Sequence, residues 1–352
     1  MTLLAETLAA IEPPSAQSRS EADQRQRQLT KPPGALGALE ELGTRLAGIY
    51  GSCPPPLAEP VAVAVFAADH GVHDQGVSPW PQEVTAQMVV NFLSGGAAIN
   101  ALARQCGAQV TVVDVGVASQ VPPAQGLLSR KVRAGTADMT QGPAMSDEEA
   151  QAALVTGIEV SRDLVEQGHR LLVAGDMGIA NTTASAALVS VFTGRDVASV
   201  TGRGAGIDDA MLRHKIAVVG RALEMHRPSR EEPLRALAAV GGLEHAAITG
   251  FLLGAAALRI PVVLDGVIAC SAALVAQALA PVAVEYWIAG HRSSEPGASA
   301  ALQHLGLEPL VDLGLRLGEG SGATLAVPLV QAAARVLAEM ATFDQAGVSD
   351  KG

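Results

Sequence analysis

The feature that most constrains the fold is an alternation, from Val61 onward, of short apolar runs with longer segments of helical periodicity. Each apolar run has the length of a strand and ends in glycine and polar residues. Strands that are buried on both faces and separated by helices are typical of repeated β-α units with a parallel sheet. The sequence therefore predicts an α/β fold, with strands at 61–67, 110–115, 171–174, 197–200, 261–264, 282–288 and 310–315.

The polar residues of the chain collect at the carboxyl ends of these predicted strands. In an open α/β sheet, ligands bind in the crevice beyond that edge. Nearly all the glycine-flanked polar residues follow directly after an apolar run. We therefore expect one shared cleft at the carboxyl edge of the sheet.

Composition narrows the class of partner. Hydrophobic residues make up 49% of the chain and charged residues 17%, which fits a tightly packed, enzyme-like body. The net charge of -11 and the lack of a basic stripe argue against a nucleic-acid surface, although local anion sites stay possible. Cys53, Cys106 and Cys270 are widely spaced and form no C-x-x-C, which fits a reducing, cytoplasmic compartment and predicts neither disulfides nor a metal framework.

One uncharged run, residues 266–284, is long enough to raise the question of a membrane span. Pro281 and the many alanines argue against insertion, and the run divides into a helix at 268–279 and a buried strand at 282–288. Residues 1–13 lack the basic and cleavage patterns of a signal peptide. We expect no membrane partner.

A glycine-rich turn near the C-terminus, residues 313–323, places Glu319 between two glycines. Glycines allow a ligand to approach the backbone closely, so a carboxylate held there is well placed to act on a substrate. We interpret Glu319 as the candidate catalytic base. The alternative is an ordinary helix start, with Ser321 as N-cap and Glu319 near the positive end of the helix dipole.

Residues 175–183, which run from a buried strand into an alanine-rich helix, indicate a first anion site. Asn181, Thr182 or Thr183 can cap that helix, and free backbone N–H groups beside glycines bind anions readily. Phosphate is the expected ligand. An ordinary N-cap without a ligand is the alternative.

Residues 201–206, together with Lys215 on the next helix, indicate a second anion site. Arg203 offers a planar guanidinium and Lys215 a point charge. The G-x-G-x-G spacing lacks the pattern and the later acidic residue of a dinucleotide fingerprint, so we do not predict NAD binding. The alternative is a structural loop with Arg203 ion-paired to Asp208 or Asp209.

Two other strand ends carry candidate substrate contacts. His291 and Ser293 offer hydrogen-bond donors suited to an anionic or ribose-bearing substrate, although His291 can equally be a polar loop residue. Further along the N-terminal half, Ser78 and Gln87 can serve as polar contacts in an apolar pocket. Met88 fits that pocket and the hydrophobic core equally well.

The stretch that contains Asp69, His70, His73 and Asp74 has the residue types of a metal site. Its spacing matches no metal motif, and hydrogen-bonded loop structure or substrate contact explains these residues without an ion. We predict no metal and no cofactor.

Taken together, these stretches resemble the nicotinate-nucleotide:dimethylbenzimidazole phosphoribosyltransferases of cobalamin biosynthesis. The matching residues span nearly the whole chain in the family's order, which is far more specific than any single glycine turn. The matching stretches are 31–37, 68–72, 76–78, 87–89, 95–100, 177–179, 181–183, 201–204, 264–266, 291–293 and 316–323.

The resemblance implies a Rossmann-like parallel sheet flanked by helices, with a small helical domain formed from both termini. The corresponding boundaries are 1–56 and 325–352 for the small domain and 57–324 for the large catalytic domain. It also implies a homodimer and a reaction that moves ribose 5-phosphate from nicotinate mononucleotide to 5,6-dimethylbenzimidazole, giving α-ribazole 5′-phosphate and nicotinate.

The resemblance also assigns site residues. Glu319 falls on the family's catalytic base. The implied contacts to substrate phosphate and ribose are Asp176, Gly178, Asn181, Thr182, Thr183, Gly202, Arg203, Gly204, Lys215, His291, Ser293 and Gly320. The implied pocket for the acceptor base comprises Ser78, Gln87, Met88 and Leu317. The chain departs from the family at Asp176, where glutamate is usual, at Ala180, commonly glycine, and at Ala205, commonly threonine.

Two other functions remain open from the residues. A non-catalytic nucleotide or cobamide-precursor binding protein on the same scaffold would keep both anion sites and would not need Glu319. A metal-dependent phosphosugar or nucleotide hydrolase would use Asp69, His70, His73 and Asp74.

Overall fold

A single six-stranded sheet forms the centre of the computed structural model, which describes residues 2–349. Its strands are β1 (Val61–Ala68), β2 (Gln109–Gly116), β3 (Leu127–Ser129), β4 (Leu171–Met177), β5 (Val262–Leu264) and β6 (Trp287–Ala289). All neighbouring strands are parallel, in the order β3-β2-β1-β4-β5-β6. The predicted α/β fold is therefore confirmed.

The strand order reverses direction between β1 and β4, which places the expected ligand crevice beside their carboxyl ends. Val63 in the middle of β1 pairs with Val110 of β2 and with Val173 of β4. Every residue of β1 is buried, because helices cover both faces of the sheet. This explains why the strand reads as a continuous apolar run.

Fifteen helices surround the sheet within the described residues. They are α1 (Leu3–Ala10), α2 (Ala16–Gln28), α3 (Ala38–Tyr50), α4 (Val84–Leu93), α5 (Ala98–Cys106), α6 (Asp147–Glu166), α7 (Asn181–Thr193), α8 (Val197–Val200), α9 (Asp209–His226), α10 (Pro233–Val240), α11 (Leu243–Ala257), α12 (Val267–Leu279), α13 (Pro296–Leu305), α14 (Ser321–Glu339) and α15 (Phe343–Ala346). Short 3-10 segments occur at Gly71–Gln75 and Pro281–Tyr286.

The two faces of the sheet bury separate hydrophobic cores. Alternate residues of β1, such as Phe66, pack in one core with helices that include α6, α7, α11 and α12. The intervening residues, such as Val65, pack in the other core with α3, α5 and α14. The alternation follows from the two-residue period of a strand.

The two terminal regions pack together beside the second core. The Arg25 guanidinium on α2 donates to the carbonyl oxygens of Leu337, Ala338 and Met340 at distances of 2.5 to 3.4 Å, which caps the C-terminal end of α14. Helix α1, in contrast, packs against α6 and α11.

The division into a small and a large domain stays a prediction. The predicted boundary at 324 falls inside α14, which is one continuous helix from the glycine-rich turn that carries Glu319 to its contact with α2. Met1 and residues 350–352, which the predicted small domain includes, lie outside the described residues.

Several predicted strands were wrong. Residues 197–200 form α8 instead, because the Asp196 carboxylate accepts the Ala198 N–H and starts a helical turn. Most of 282–288 is 3-10 helix, and only β6 pairs with the sheet. Residues 310–315 contribute a single bridge, between Val311 and His291. The short strand β3 was missed.

The predicted helix at 268–279 is confirmed as α12. Two other segments, Val84–Cys106 and Ser321–Glu339, have the length and hydropathy of a membrane-crossing helix. The first consists of α4, α5 and the turn between them, and over half of the second is buried within the protein. Core helices often share these properties, so length and composition are weak evidence for a span.

Helices α6 and α11 approach each other so closely that backbone touches backbone. A Cβ added at Gly250 on α11 would lie 1.8 Å from the Leu154 carbonyl oxygen on α6. We therefore expect Gly250→Ala to lower the free energy of unfolding by about 3 kcal/mol, because two packed helices must separate. Urea denaturation followed by circular dichroism measures this change.

Gly220→Ala on α9 is the matched control, since an added Cβ there meets nothing within 4 Å. It should raise stability by up to about 1 kcal/mol through the better helix propensity of alanine. Equal effects of the two substitutions would contradict the close-packing account.

Candidate active site

A cavity of about 350 Å³ opens at the carboxyl edge of the sheet, as predicted. It lies against the ends of β4 and β6 and the turn that precedes α14. The sequence-predicted residues that line it are Ser78, Asp176, Gly178, Asn181, Thr182, Arg203, Gly204, Lys215, His291, Ser293 and Leu317. The other predicted site residues, Glu319, Thr183, Gly202, Gly320, Gln87 and Met88, are not part of its wall.

The N-terminus of α7 and Lys215 form one end of the cavity. The Lys215 ammonium group donates to Thr182 Oγ1 at 2.7 Å and to the Gly202 carbonyl oxygen at 3.3 Å. Burial lowers the pKa of Lys215 to about 8, against an opposing effect of the nearby Glu295. A buried amine beside a helix N-terminus is suited to bind a phosphate.

The prediction that a side chain caps the N-terminus of α7 was wrong. The residue before the helix is Ala180, in the left-handed conformation with φ of 76°, and it provides no side-chain cap. Asn181 instead donates its amide to Asp176 Oδ1 at 3.1 Å, while Thr183 lies buried on the helix. The N–H of Thr182 bonds to no acceptor among residues 2–349, so this helix terminus can receive a ligand.

In the loop at 202–204, Arg203 forms the ion pair that was the alternative to anion binding. Arg203 pairs with Asp209 and donates to the Ile207 carbonyl oxygen at 2.9 Å, so its guanidinium is engaged within its own loop. The Gly204 N–H donates to Glu295 Oε1 at 2.8 Å. Arg203 thus lines the cavity as a loop residue, while Lys215 faces the anion end and Arg316 donates to the Gly204 carbonyl oxygen at 2.7 Å.

Glu319 is buried, with only 5% of its surface exposed, and its backbone is left-handed with φ of 65°. Its Oε2 accepts the Ile99 N–H at 3.1 Å, in the first turn of α5. Oε1 accepts no hydrogen bond from the part of the chain that the structure describes. Burial raises the pKa of Glu319, with a further rise from the negative charge of Asp265 and an opposing effect of the Ile99 bond.

The alternative reading of this turn, with Ser321 as the helix cap, was wrong. The residue before α14 is Gly320, and the Ser321 hydroxyl donates to the Gly318 carbonyl oxygen at 2.7 Å. The Glu319 carboxylate binds the N-terminus of α5 rather than that of its own helix.

Asp176 is the penultimate residue of β4 and lines the cavity. Its Oδ2 is buried without a hydrogen-bond partner in the described structure. Burial, reinforced by the charges of Asp265, Glu244 and Glu319, raises the pKa of Asp176 well above its ordinary value. This shift favours the protonated carboxyl form, whose O–H can donate a hydrogen bond to a ligand.

Sequence reasoning did not select Asp265 as a site residue, although its motif was noted. Asp265 Oδ1 accepts the Ala323 N–H at 2.9 Å and lies 3.4 Å from His291 Nε2. It thereby lies beside the imidazole on the cavity wall. Its position directly after a strand and before a glycine was the signal that could have identified it.

The outer part of the cavity is apolar and exposed. Ser78 accepts the Trp80 N–H at 3.2 Å, and the side chains of Trp80 and Leu317 are 50% and 58% exposed at the rim. Gln87 is exposed on α4 and Met88 packs against the second core. The assignment of the last two to an acceptor-base pocket stays a prediction.

The four residues considered for a metal site do not converge. Asp69 Oδ2 accepts the Ala118 N–H at 2.7 Å, and His73 Nε2 lies 2.9 Å from the Trp80 carbonyl oxygen. His70 instead joins two residues that sequence reasoning missed, Glu244 and His245.

These three side chains are buried and have the composition of a metal site, with donor atoms within 4.8 Å of one another. Glu244 Oε1 lies 2.7 Å from both His70 Nε2 and His245 Nδ1. Two ligands of one tetrahedral zinc ion lie about 3.3 Å apart, given zinc-nitrogen distances near 2.0 Å. The spacing therefore fits direct contact between carboxylate and imidazoles.

Comparison with known proteins identifies the family of this chain. A family model described as phosphoribosyltransferase matches residues 11–348. The nicotinate-nucleotide–dimethylbenzimidazole phosphoribosyltransferase of Salinispora tropica is 59% identical over 99% of this chain and 100% of its own length. The chain belongs to this phosphoribosyltransferase family.

Other members of the family are equally complete matches. The relative of the same name from Chloroflexus aggregans is 57% identical over 100% of this chain and 99% of its own length. The crystal structure of the nicotinate-nucleotide–dimethylbenzimidazole phosphoribosyltransferase from Thermus thermophilus superposes with a TM-score of 0.91 at 50% identity, covering 96% of this chain and 100% of that chain. The predicted resemblance is confirmed.

The lowered pKa of Lys215 makes anion binding at this site depend on pH. Binding requires the ammonium form, which is lost as pH rises through about 8. Above about pH 8, where inorganic phosphate is already a dianion, we expect its Kd, measured by calorimetry, to rise by up to about tenfold per pH unit.

Lys215→Met serves as the reference, because it removes the titrating group. Its phosphate affinity should be weak and independent of pH between 8 and 9.5. A wild-type Kd that stays constant over the same range would contradict the assignment of Lys215 to the anion end.

Proposed function

We propose that the protein transfers ribose 5-phosphate from nicotinate mononucleotide to a ring nitrogen of 5,6-dimethylbenzimidazole, giving α-ribazole 5′-phosphate and nicotinate. The observation that carries the proposal is a strand-end cavity with a cationic anion site at Lys215, whose wall includes Gly318, the residue directly before the buried carboxylate of raised pKa, Glu319. Relatives at 57 to 59% identity bear the name of this activity.

The phosphate of the donor substrate fits the end of the cavity formed by α7 and Lys215. The helix N-terminus supplies partial positive charge and the Thr182 N–H, while Lys215 supplies a full charge. Thr182, Lys215 and the Gly202 carbonyl oxygen already form one hydrogen-bonded unit. Little rearrangement is needed to receive the phosphate, which favours binding.

The chemistry at the anomeric carbon suits a site rich in carboxylates. The pyridinium of the donor leaves as a neutral ring, so positive charge develops on the ribose as the glycosidic bond breaks. Asp265 and Glu319 lie buried near the strand ends, where negative charge stabilises that transition state. Attack by the acceptor from the opposite face inverts the anomeric carbon.

Glu319 is the group proposed to take the proton of the acceptor. The azole nitrogen that attacks the ribose must lose its proton, and a carboxylate with a free oxygen can accept it. Oε2 is held by the Ile99 N–H, which leaves Oε1 for the substrate. Desolvation raises the basicity of the carboxylate, which brings its pKa closer to the working pH.

We further propose a cytoplasmic homodimer. The three cysteines are free thiols, which fits a reducing compartment. Leu313 and Leu317 expose 63% and 58% of their surface near the cavity rim, where a second copy could cover them. Sedimentation equilibrium tests the dimer, and a monomer at micromolar concentration would contradict it.

Glu319→Gln should leave the fold and acceptor binding intact and lower kcat at least about 100-fold, because general base catalysis typically contributes that much. Formation of α-ribazole 5′-phosphate is measured by liquid chromatography. Glu308→Gln, at an exposed position, is the control and should retain full activity. Equal rates in both variants would remove Glu319 from the base role.

The pH profile gives a second test of the same residue. Since the pKa of Glu319 is raised, the base form is lost at a higher pH than for an ordinary glutamate as the solution is acidified. We expect the acidic limb of kcat/KM to lie above pH 4.5 and to disappear in the residual activity of Glu319→Gln. A non-catalytic binding protein would bind both substrates and show no turnover at any pH.

A further inference from the structure

A buried chain of polar side chains connects the loop after β1 to helix α7, outside the cavity wall. Its members are His70, Glu244, His245 and Ser185, and each is at most 1% exposed. His70 Nε2 lies 2.7 Å from Glu244 Oε1, which lies 2.7 Å from His245 Nδ1. His245 Nε2 is in turn 2.8 Å from Ser185 Oγ on α7.

The ionisation state of the Glu244 carboxylate sets the direction of the hydrogen bond that it makes in this chain. Burial alone would raise the pKa of Glu244, but the two imidazoles lower it below its ordinary value instead, so the carboxylate is ionised. An ionised carboxylate only accepts hydrogen bonds, so His70 donates its Nε2–H to Oε1. His245 Nδ1 lies 2.7 Å from the same oxygen without forming a directed hydrogen bond, and His245 Nε2 on the other side of the ring shares a hydrogen bond with the Ser185 hydroxyl.

Both ends of this chain adjoin the anion end of the cavity. Ser185 lies one turn after Asn181 and Thr182 on the same helix. The His70 ring lies beside Gly178, where an added Cβ would be 3.5 Å from its Cδ2. The chain therefore contacts the strand-to-helix turn from one side and the first turns of α7 from the other.

Stability does not explain a carboxylate and two imidazoles in this position. Burying such groups costs free energy that well-packed apolar residues would avoid. Apolar contacts around α7 are also non-directional, whereas a hydrogen bond fixes a distance and an angle. What the chain adds is a defined position of α7 relative to β1 and α11.

We infer that His70, Glu244, His245 and Ser185 are positioning residues, which hold the N-terminus of α7 in register with Lys215 so that the two bind the phosphate of the substrate together. The inference rests on the proposed function of that end of the cavity. The chain touches no substrate. It acts through Thr182, whose hydroxyl already accepts a hydrogen bond from Lys215.

Two serines on the same helix provide a matched test. Ser185→Ala removes the last link of the chain, whereas Ser190→Ala removes a buried hydrogen bond to the Arg195 carbonyl oxygen at the far end of α7. Both should lower the melting temperature by a similar amount. Only Ser185→Ala should raise the Kd for ribose 5-phosphate, by about fivefold, the loss expected for one hydrogen bond.

The kinetic readout separates positioning from a general loss of structure. Ser185→Ala should raise KM for nicotinate mononucleotide by a similar factor and leave kcat and KM for dimethylbenzimidazole within twofold. Equal effects of the two serine variants on ribose 5-phosphate binding would overturn the inference. Calorimetry with ribose 5-phosphate tests the inference even if no turnover is found. Failure of the inference is therefore distinct from failure of the proposed function.

Two substitutions of His245 test whether this chain of side chains acts through Ser185. In His245→Gln the side-chain amide reaches the position of Nε2 and can keep the bond to Ser185, whereas in His245→Asn it reaches only the position of Nδ1. We expect the glutamine variant to bind ribose 5-phosphate several-fold more tightly than the asparagine variant. Equal affinities in two folded variants would contradict a role that passes through Ser185.

Discussion

The close backbone contact between the end of β4 and the turn that carries Glu319 is the constraint on which the site depends. A Cβ at Gly175 would lie 2.4 Å from the Glu319 carbonyl oxygen, so only glycine allows the turn to lie against the strand. The contact holds Glu319 in a left-handed conformation and directs its carboxylate to α5. Glu319, the strand end and the start of α14 are thus fixed together.

Negative charge at this edge of the sheet is supported mainly by helix N-termini. Glu319 accepts an N–H from α5 and Asp265 accepts one from α14, so each carboxylate is held by backbone dipoles rather than by a basic side chain. Lys215, a buried ammonium group, lines the cavity wall and bonds to Thr182 instead. Under the proposed function, a buried cation on the wall and carboxylates behind it match a substrate that carries both a phosphate and a pyridinium.

Local sequence patterns predicted the secondary structure correctly where a strand is buried on both faces. They failed where the interaction partners of a residue are distant in the sequence. The strand β1 was predicted within one residue because helices cover both of its faces. Residues 197–200 are also rich in valine, but the Asp196 cap stabilises a helical turn there. Four residues are too few for periodicity to distinguish a strand from a helix. Glu244 gave no signal, because it lies in an apolar helix and its partner His70 is 174 residues away. Glycine turns identified the cavity wall, whereas side-chain partners such as Asp209 for Arg203 had to come from the tertiary structure.

The shorter side chain at Asp176, where the resemblance leads one to expect glutamate, leaves the geometry of the site intact. The link between this position and Glu319 runs through the main chain, because the Glu319 N–H donates to the Asp176 carbonyl oxygen at 3.3 Å. That bond does not depend on side-chain length. The aspartate carboxyl group lies against Gly318, where an added Cβ would be 3.0 Å from Oδ1, and it accepts the Asn181 amide. A longer side chain would extend past these partners into the cavity, so the aspartate leaves more space there, while the main-chain bond to Glu319 is preserved.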